Sequence, residues 1–141
     1  RLDVAAKLGA EKTLLLAKDA TPQGVKDLFG ESADVVFETS GAPGAVPRAI
    51  ALTKNGGVCT LMGLNKVPEP VIFSDPVLRE VVLQTTVAHV CRTDIPAALE
   101  ILATTNVADL LRGPVVELAN VAHAFELLTG GTATGKILVK P

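Results

Sequence analysis

The stretch that decides the fold is DVVFETSG at residues 34–41, APGAVPRAIALTKNG at 42–56 and GVCTLMGL at 57–64. Residues 34–37 form a short apolar, β-branched run that ends in Glu38-Thr39-Ser40-Gly41. Ala45, Val46, Ala49, Ile50 and Leu52 then recur mostly at three- and four-residue spacing, the pattern of a helix with one apolar stripe. Asn55-Gly56-Gly57 is expected to stop that helix, because glycine tolerates the left-handed backbone of a C-cap. Residues 58–62 are a second apolar run, closed by Gly63. Neither strand carries an alternating polar face, so both faces are expected to be covered, as in a parallel sheet with helices on either side. Ligands of open parallel sheets sit beyond the carboxyl ends of the strands. The two glycine loops, one helix apart, therefore form a candidate ligand rim.

Outward from this unit, strands and helices alternate. Residues 1–8 followed by Gly9 read as a helix end, residues 13–17 as a short strand, and Thr21-Pro22 as the start of a helix running to Gly30. Residues 65–73, with Pro68 and Pro70, read as a loop. Ser74-Asp75-Pro76 starts a short helix carrying Arg79 and Glu80, and residues 81–90 read as a strand. Thr93-Asp94 is expected to cap a helix that places Ile95, Ala98, Leu99, Leu102 and Ala103 on one face. Residues 113–118 and 136–139 read as strands around a helix capped by Asn120 and ended by Gly130-Gly131. The class is α/β with a largely parallel sheet.

Composition excludes several functions. Aromatic residues make up 3% of the 141, with no Trp or Tyr, which leaves little surface for stacking single-stranded nucleic acid. A net charge of -2 without a basic run argues against a nucleic-acid partner altogether. No apolar run approaches the roughly 20 residues that span a bilayer, and no secretory leader is expected. Cys59 and Cys91 read as free thiols of a reducing, cytoplasmic compartment.

Individual polar residues offer less. His89 and Cys91 would share one face of a strand, but a tetrahedral zinc takes about four ligands and no second pair stands out. No metal site is assigned. His123 falls in an apolar helix face and reads as packed or half-exposed. Glu38 ends a buried strand, where burial would raise its pKa; the plainer reading is a carboxylate satisfied by neighbouring backbone amides. No Ser/His/Asp or Cys/His set emerges from order and spacing.

The stretches RLDVAAKLGA, DVVFETSG, NGGVCTLMGL, LREVVLQTTV and AHAFELLTGGTATGKILVKP, in that order, cover essentially the whole chain. Together they resemble the carboxyl-terminal part of a medium-chain dehydrogenase/reductase, the group of zinc-type alcohol, polyol and threonine dehydrogenases. The Glu-Thr-Ser-Gly loop is more similar to the zinc-type branch than to the quinone-reductase branch. The resemblance implies an incomplete Rossmann-type domain whose partner is NAD or NADP. It places Arg1 near the adenosine ribose, Thr39, Ser40 and Gly41 beside the adenine side, and Met62, Gly63 and Leu64 along the nicotinamide ribose and ring. Val87 and Ala88 fall where backbone meets the carboxamide, and Lys136 lies near the pyrophosphate. A homo-oligomer through a sheet edge is also implied.

The chain departs from the family in lacking Gly-x-Gly-x-x-Gly after an opening strand, and an acidic residue before Arg1. The zinc and its catalytic domain are expected upstream, outside this chain. The expectation is one partial dinucleotide-binding domain, with residues 1–112 as a Rossmann half and 113–141 as a segment returning to the catalytic domain. Such a fragment would carry no catalytic residue of its own. The other reading is a non-catalytic dimerisation module. The family's strand order of 3-2-1-4-5-6 makes residues 13–17 strand 3 and assigns strands 4, 5 and 6 to residues 34–37, 58–62 and 81–90. With strands 1 and 2 missing, residues 13–17 are expected to pair directly with 34–37. A second chain filling the gap, or a longer parent supplying both strands, are the other outcomes.

Overall fold

The structure, a computed structural model, describes residues 1–17 and 20–141. Its elements in order are α1 (Leu2–Lys7), α2 (Pro22–Phe29), β1 (Ala33–Glu38), α3 (Ala45–Leu52), β2 (Thr53–Leu61), α4 (Ser74–Leu78) and β3 (Val82–Thr85). Then follow α5 (Cys91–Thr104), α6 (Val107–Leu111), β4 (Arg112–Glu117), a 3-10 turn at Leu118–Asn120, α7 (Val121–Thr129) and β5 (Lys136–Lys140). They group into two compact units. One comprises Leu16–Ala88; the other combines Arg1–Leu15 with His89–Pro141. Every strand pair in both is parallel, so the chain is α/β as the alternation implied.

In the Leu16–Ala88 unit the sheet order is β1-β2-β3. The entering helix α2 forms as its sequence dictates: the Thr21 hydroxyl accepts from Gly24 N at 3.1 Å, Pro22 takes the first turn, and Gly30 closes it with φ +90. Between β1 and β2, α3 is the crossover. Its Ala49 and Ile50 pack with the fully buried Cys59 of β2, flanked by Val36, Val46, Leu61, Val71, Val81 and Leu83. This aliphatic cluster is the core of the unit.

Three expectations are corrected here. The helix α3 stops at Leu52, before Asn55-Gly56-Gly57, and β2 begins at once with Thr53. Thr53 is fully buried and its hydroxyl donates back to Ala49 O at 2.9 Å. The glycines serve the strand instead. The ladder pairs Ala33 with Thr53 but Val35 with Val58, so residues 54–57 bulge out of register. A Cβ on Gly57 would stand 2.7 Å from Asp34 O, closer than any side chain tolerates. Lys54 and Asp34 form an ion pair across the bulge.

Strand β3 is Val82–Thr85, not 81–90. A strand lasts only as long as its neighbour supplies hydrogen-bond partners. Thr85 is opposite Leu61, the last residue of β2, and Thr86 N makes a final bond to Leu61 O at 3.2 Å. Ala88 then turns to φ +56. Residues 13–17, among the described residues, lie in no strand, so the expected order with those residues beside β1 does not form. Without an adjacent ladder, the apolar composition of Thr13-Leu14-Leu15-Leu16-Ala17 alone does not make a strand.

In the second unit, β4 and β5 pair around the crossover α7, with Val115 opposite Leu138 and Val116 opposite Val139. Ala124 of α7 is buried. Asn120 flanks α7 without capping it through its side chain, and Gly131 follows at φ +67. The helix α5 starts at Cys91, two residues before the expected cap. Asp94 reaches back instead: its Oδ2 accepts from Val90 N at 2.6 Å, its Oδ1 from the Thr93 hydroxyl at 3.0 Å. The stripe of Ile95, Leu99 and Leu102 is exposed. The short α6 had no expected counterpart.

Candidate functional site

The carboxyl end of β1 and that of β2 are joined through one residue, Glu38. Its backbone oxygen, at the last position of β1, accepts from Met62 N at 2.8 Å and from Gly63 N at 2.9 Å. Its side chain turns the other way, into the loop that follows its own strand. Oε1 accepts from Ser40 N at 2.7 Å, from the Ser40 hydroxyl at 2.5 Å and from Gly41 N at 3.0 Å; Oε2 lies 3.2 Å from Gly41 N. The residue is 5% exposed. Burial pushes its carboxyl upward, but the Ser40 hydroxyl and the amides of Ser40 and Gly41 outweigh that, and the net shift is downward. The reading of Glu38 as a carboxylate satisfied by amides therefore holds, and the raised pKa does not.

Both loop glycines are required by contact. A Cβ on Gly63 would overlap Gly41 N and Glu38 Oε2, and one on Gly41 would stand 2.7 Å from the Leu64 carbonyl carbon. Gly41 also has φ +59. The loops at 39–41 and 62–64 thus touch backbone to backbone, and Thr39, Ser40, Gly41, Met62, Gly63 and Leu64 are brought together as one rim. Val87 and Ala88 follow β3 at the same carboxyl end of the sheet, two and three positions past the Leu61–Thr85 pair.

The chemistry of this rim is specific. The amides of Ser40, Gly41, Met62 and Gly63 already serve Glu38, so they present no cradle for a phosphate. Beside the exposed polar Thr39 and Ser40, the rim shows solvent an apolar stretch: Met62 is 45%, Leu64 73% and Val87 77% exposed. Such a surface suits a flat, uncharged ring. Behind it, the Glu69 carboxylate of the 65–73 loop accepts from Gly44 N, the residue that precedes α3, and from Asn65 Nδ2 at 3.2 Å. Sequence reasoning missed Glu69. Its partner lies 25 residues away, and no local pattern announces the contact.

Arg1 and Lys136 fall in the other unit, where both line one cavity of about 470 Å³ with Val4, Leu8, Leu111 and Leu128. Its lining joins two cations to aliphatic walls, chemistry suited to an anionic, partly apolar group. His89 lies outside any strand and Cys91 opens α5, so the two do not share a strand face. Cys91 is exposed and Cys59 buried, both as free thiols; burial pushes the Cys59 thiol pKa up. His123 is exposed and contacts Glu126 at 3.3 Å, not packed in an apolar face. Among the described residues no three His, Cys, Asp or Glu side chains converge, so these residues do not fit a zinc site.

A sequence profile of the zinc-binding dehydrogenases matches residues 1–104. L-Threonine 3-dehydrogenase of Symbiobacterium thermophilum is 31% identical across 100% of this chain and 41% of its own length. The 5-exo-hydroxycamphor dehydrogenase of Pseudomonas putida is 42% identical over 69 residues, 45% of this chain and 19% of that protein. Among solved structures, a short chain alcohol dehydrogenase of E. coli CFT073 in complex with NADH superposes with a TM-score of 0.84 at 17% identity, over 99% of this chain and 41% of that one. The chain thus spans about two fifths of the length of the threonine dehydrogenase and the alcohol dehydrogenase it resembles.

Proposed function

The chain belongs to the zinc-binding dehydrogenase family, and from that premise we propose that it forms one wall of the cofactor site of an enzyme that moves hydride between NAD(H) or NADP(H) and a small alcohol or ketone. The observation that carries the reading is the rim locked on Glu38. Two glycine loops at the carboxyl ends of adjacent parallel strands lie where open α/β sheets bind their ligands. Their amides are committed to Glu38, and the second loop exposes the apolar side chains of Met62 and Leu64.

In this proposal Thr39, Ser40 and Gly41 flank the adenine, while Met62, Gly63 and Leu64 lie along the nicotinamide ribose and ring. Val87 and Ala88 offer backbone to the carboxamide. Arg1 and Lys136 supply positive charge for the ribose and pyrophosphate, which their common cavity supports. The cofactor, when bound, supplies the hydride; these residues orient it and keep water from its ring. In this reading the catalytic zinc and the proton relay would belong to sequence beyond this chain, as would strands 1 and 2, the first of which would neighbour β1. Residues 113–141 would lead back toward that catalytic domain, and the isolated chain would turn over nothing. A cytoplasmic protein is the corresponding setting; among the described residues no helix is long and apolar enough to cross a membrane. The edge strand β3, apolar at Val82 and Leu83, supports pairing with a second copy.

Titration calorimetry with NADH and NADPH tests the reading. The sequence has no Gly-x-Gly-x-x-Gly turn to hold the pyrophosphate at a helix amino terminus. Its dissociation constant is expected no tighter than about 1 mM, roughly -4 kcal/mol. In NMR at millimolar cofactor, the amides of Met62, Gly63 and Leu64 are expected to shift. Micromolar binding, or shifts confined to residues away from the rim, would overturn it.

A further inference from the structure

Glu38 is the buried ionisable group that hydride transfer leaves without a task. It is almost fully buried, yet both rim loops hydrogen-bond to it. Its backbone carbonyl ties down Met62 and Gly63, its carboxylate ties down Ser40 and Gly41, and Gly63 packs onto its Oε2. We propose that Glu38 is a positioning residue: its ionised carboxylate holds the 39–41 loop against the 62–64 loop, and so sets the shape of the rim that meets the cofactor ring.

Three features of the geometry support this. First, strand β1 ends at Glu38, so the backbone of residues 39–41 has no ladder to define its path. The carboxylate replaces the ladder, offering a charged acceptor to two successive amides and one hydroxyl, bonds that are shorter and stronger than neutral ones. Second, the contact with the second loop leaves no slack, because Gly41 and Gly63 meet without room for a Cβ. A shift of residues 39–41 must therefore displace residues 62–64. Third, the carboxylate carries little competing chemistry. The titratable group that faces it is the Cys59 thiol of β2, which burial keeps protonated. Residues 39–42 and 62–64 contain no charged side chain.

The proposal rests on the cofactor reading only in naming what the rim meets; the latch itself is a property of the chain alone. The test is a pH titration of the 141-residue protein followed by amide NMR. The amides of Ser40 and Gly41 are expected to shift together with a midpoint below the ordinary glutamate range, and Gly63 to shift with them, while Cys59 and Thr60 in β2 stay still. Glu38→Gln keeps the shape and removes the charge: the titration vanishes and hydrogen-exchange protection at Ser40 and Gly41 drops by at least about tenfold. Ser40→Ala leaves the carboxylate in place without its hydroxyl donor, and the midpoint moves up toward the ordinary range. Amides of Ser40 and Gly41 that ignore pH, or full protection in Glu38→Gln, would overturn the latch. A latch that behaves as expected beside a rim that ignores millimolar NADH supports Glu38 and overturns the cofactor reading.

Discussion

Gly63 lies directly against the carboxylate of Glu38, so close that a Cβ on Gly63 would overlap Oε2 and the amide nitrogen of Gly41. Two strand ends of opposite chemistry, one charged and one without a side chain, thereby occupy a single layer. Gly63→Ala must push either the carboxylate or the 39–41 backbone aside, and neither is the free end of a flexible chain. The substitution is expected to destabilise the protein by ~1–3 kcal/mol, as overpacking does. Urea unfolding midpoints of the two proteins measure it, and an unchanged midpoint would refute the contact.

Acid should weaken the protein through the same carboxylate. Its pKa in the folded state is lowered. The unfolded chain therefore takes up a proton first as pH falls below about 4.3, the ordinary glutamate value. Stability contributed by Glu38 is fully present above that value and is lost as pH falls through the folded one. Urea midpoints followed from pH 7 to pH 3 should decline more steeply in the natural protein than in Glu38→Gln. Parallel curves would contradict this.

Arg79 anchors the far end of the same unit. Its guanidinium donates to Thr53 O at 2.5 Å and Ile50 O at 2.9 Å, the carbonyls where α3 gives way to β2, while Nε and Nη2 hold both oxygens of Asp75 at 3.0 and 2.5 Å. A lysine cannot reproduce that fork. Arg79→Lys is expected to cost about 1.5–3 kcal/mol, the range for hydrogen bonds to charged groups. Asp75→Asn, at a half-exposed partner, should cost no more than about 1 kcal/mol. Thermal unfolding of both variants gives the ranking, and a larger loss for Asp75→Asn would reverse the assignment.

Self-association is the expected behaviour in concentrated solution. Strand β3 is an edge whose Val82 is 53% exposed, and Val35 and Phe37 of β1 are also exposed. No lysine or proline blunts either strand. Light scattering should show a mass that rises with concentration, and Val82→Lys should reduce it. A constant monomer mass at all concentrations would count against the edge.

How far these features were legible in the sequence differs by their cause. The strand–helix–strand unit was readable, since its apolar spacing and its glycine loops are local. So was α2, where Thr21, Pro22 and Gly30 each act within one turn. Boundaries set by a neighbour were not. Strand β3 is cut to Thr85 by the end of β2, and residues 13–17 form no strand for want of a ladder. The end of α3 was misplaced because Gly57 answers to Asp34 across the sheet and Gly56 N to Arg79 O, not to the helix before them. At the rim, the meeting of residues 39–41 with 62–64 follows from their place after two adjacent strands. That Glu38 joins them, and that Glu69 reaches Gly44, depends on contacts that only the folded backbone creates.

The junction between Leu52 and Thr53 has a consequence for how this chain tolerates changes in length. Helix passes into strand there with no intervening residue. One residue inserted at that point would rotate the helix by about 100° against its strand, or else exchange the two faces of β2. Four positions later the situation reverses. The 54–57 bulge is already outside the regular ladder, with Gly56 open to solvent on its Cβ side. A duplicated residue at Gly56 would lengthen a loop in all but name, leaving Cys59 in the core and the rim loops where they stand. Insertion scanning across 50–60 would thus find a forbidden site and a permissive one within a single turn of backbone.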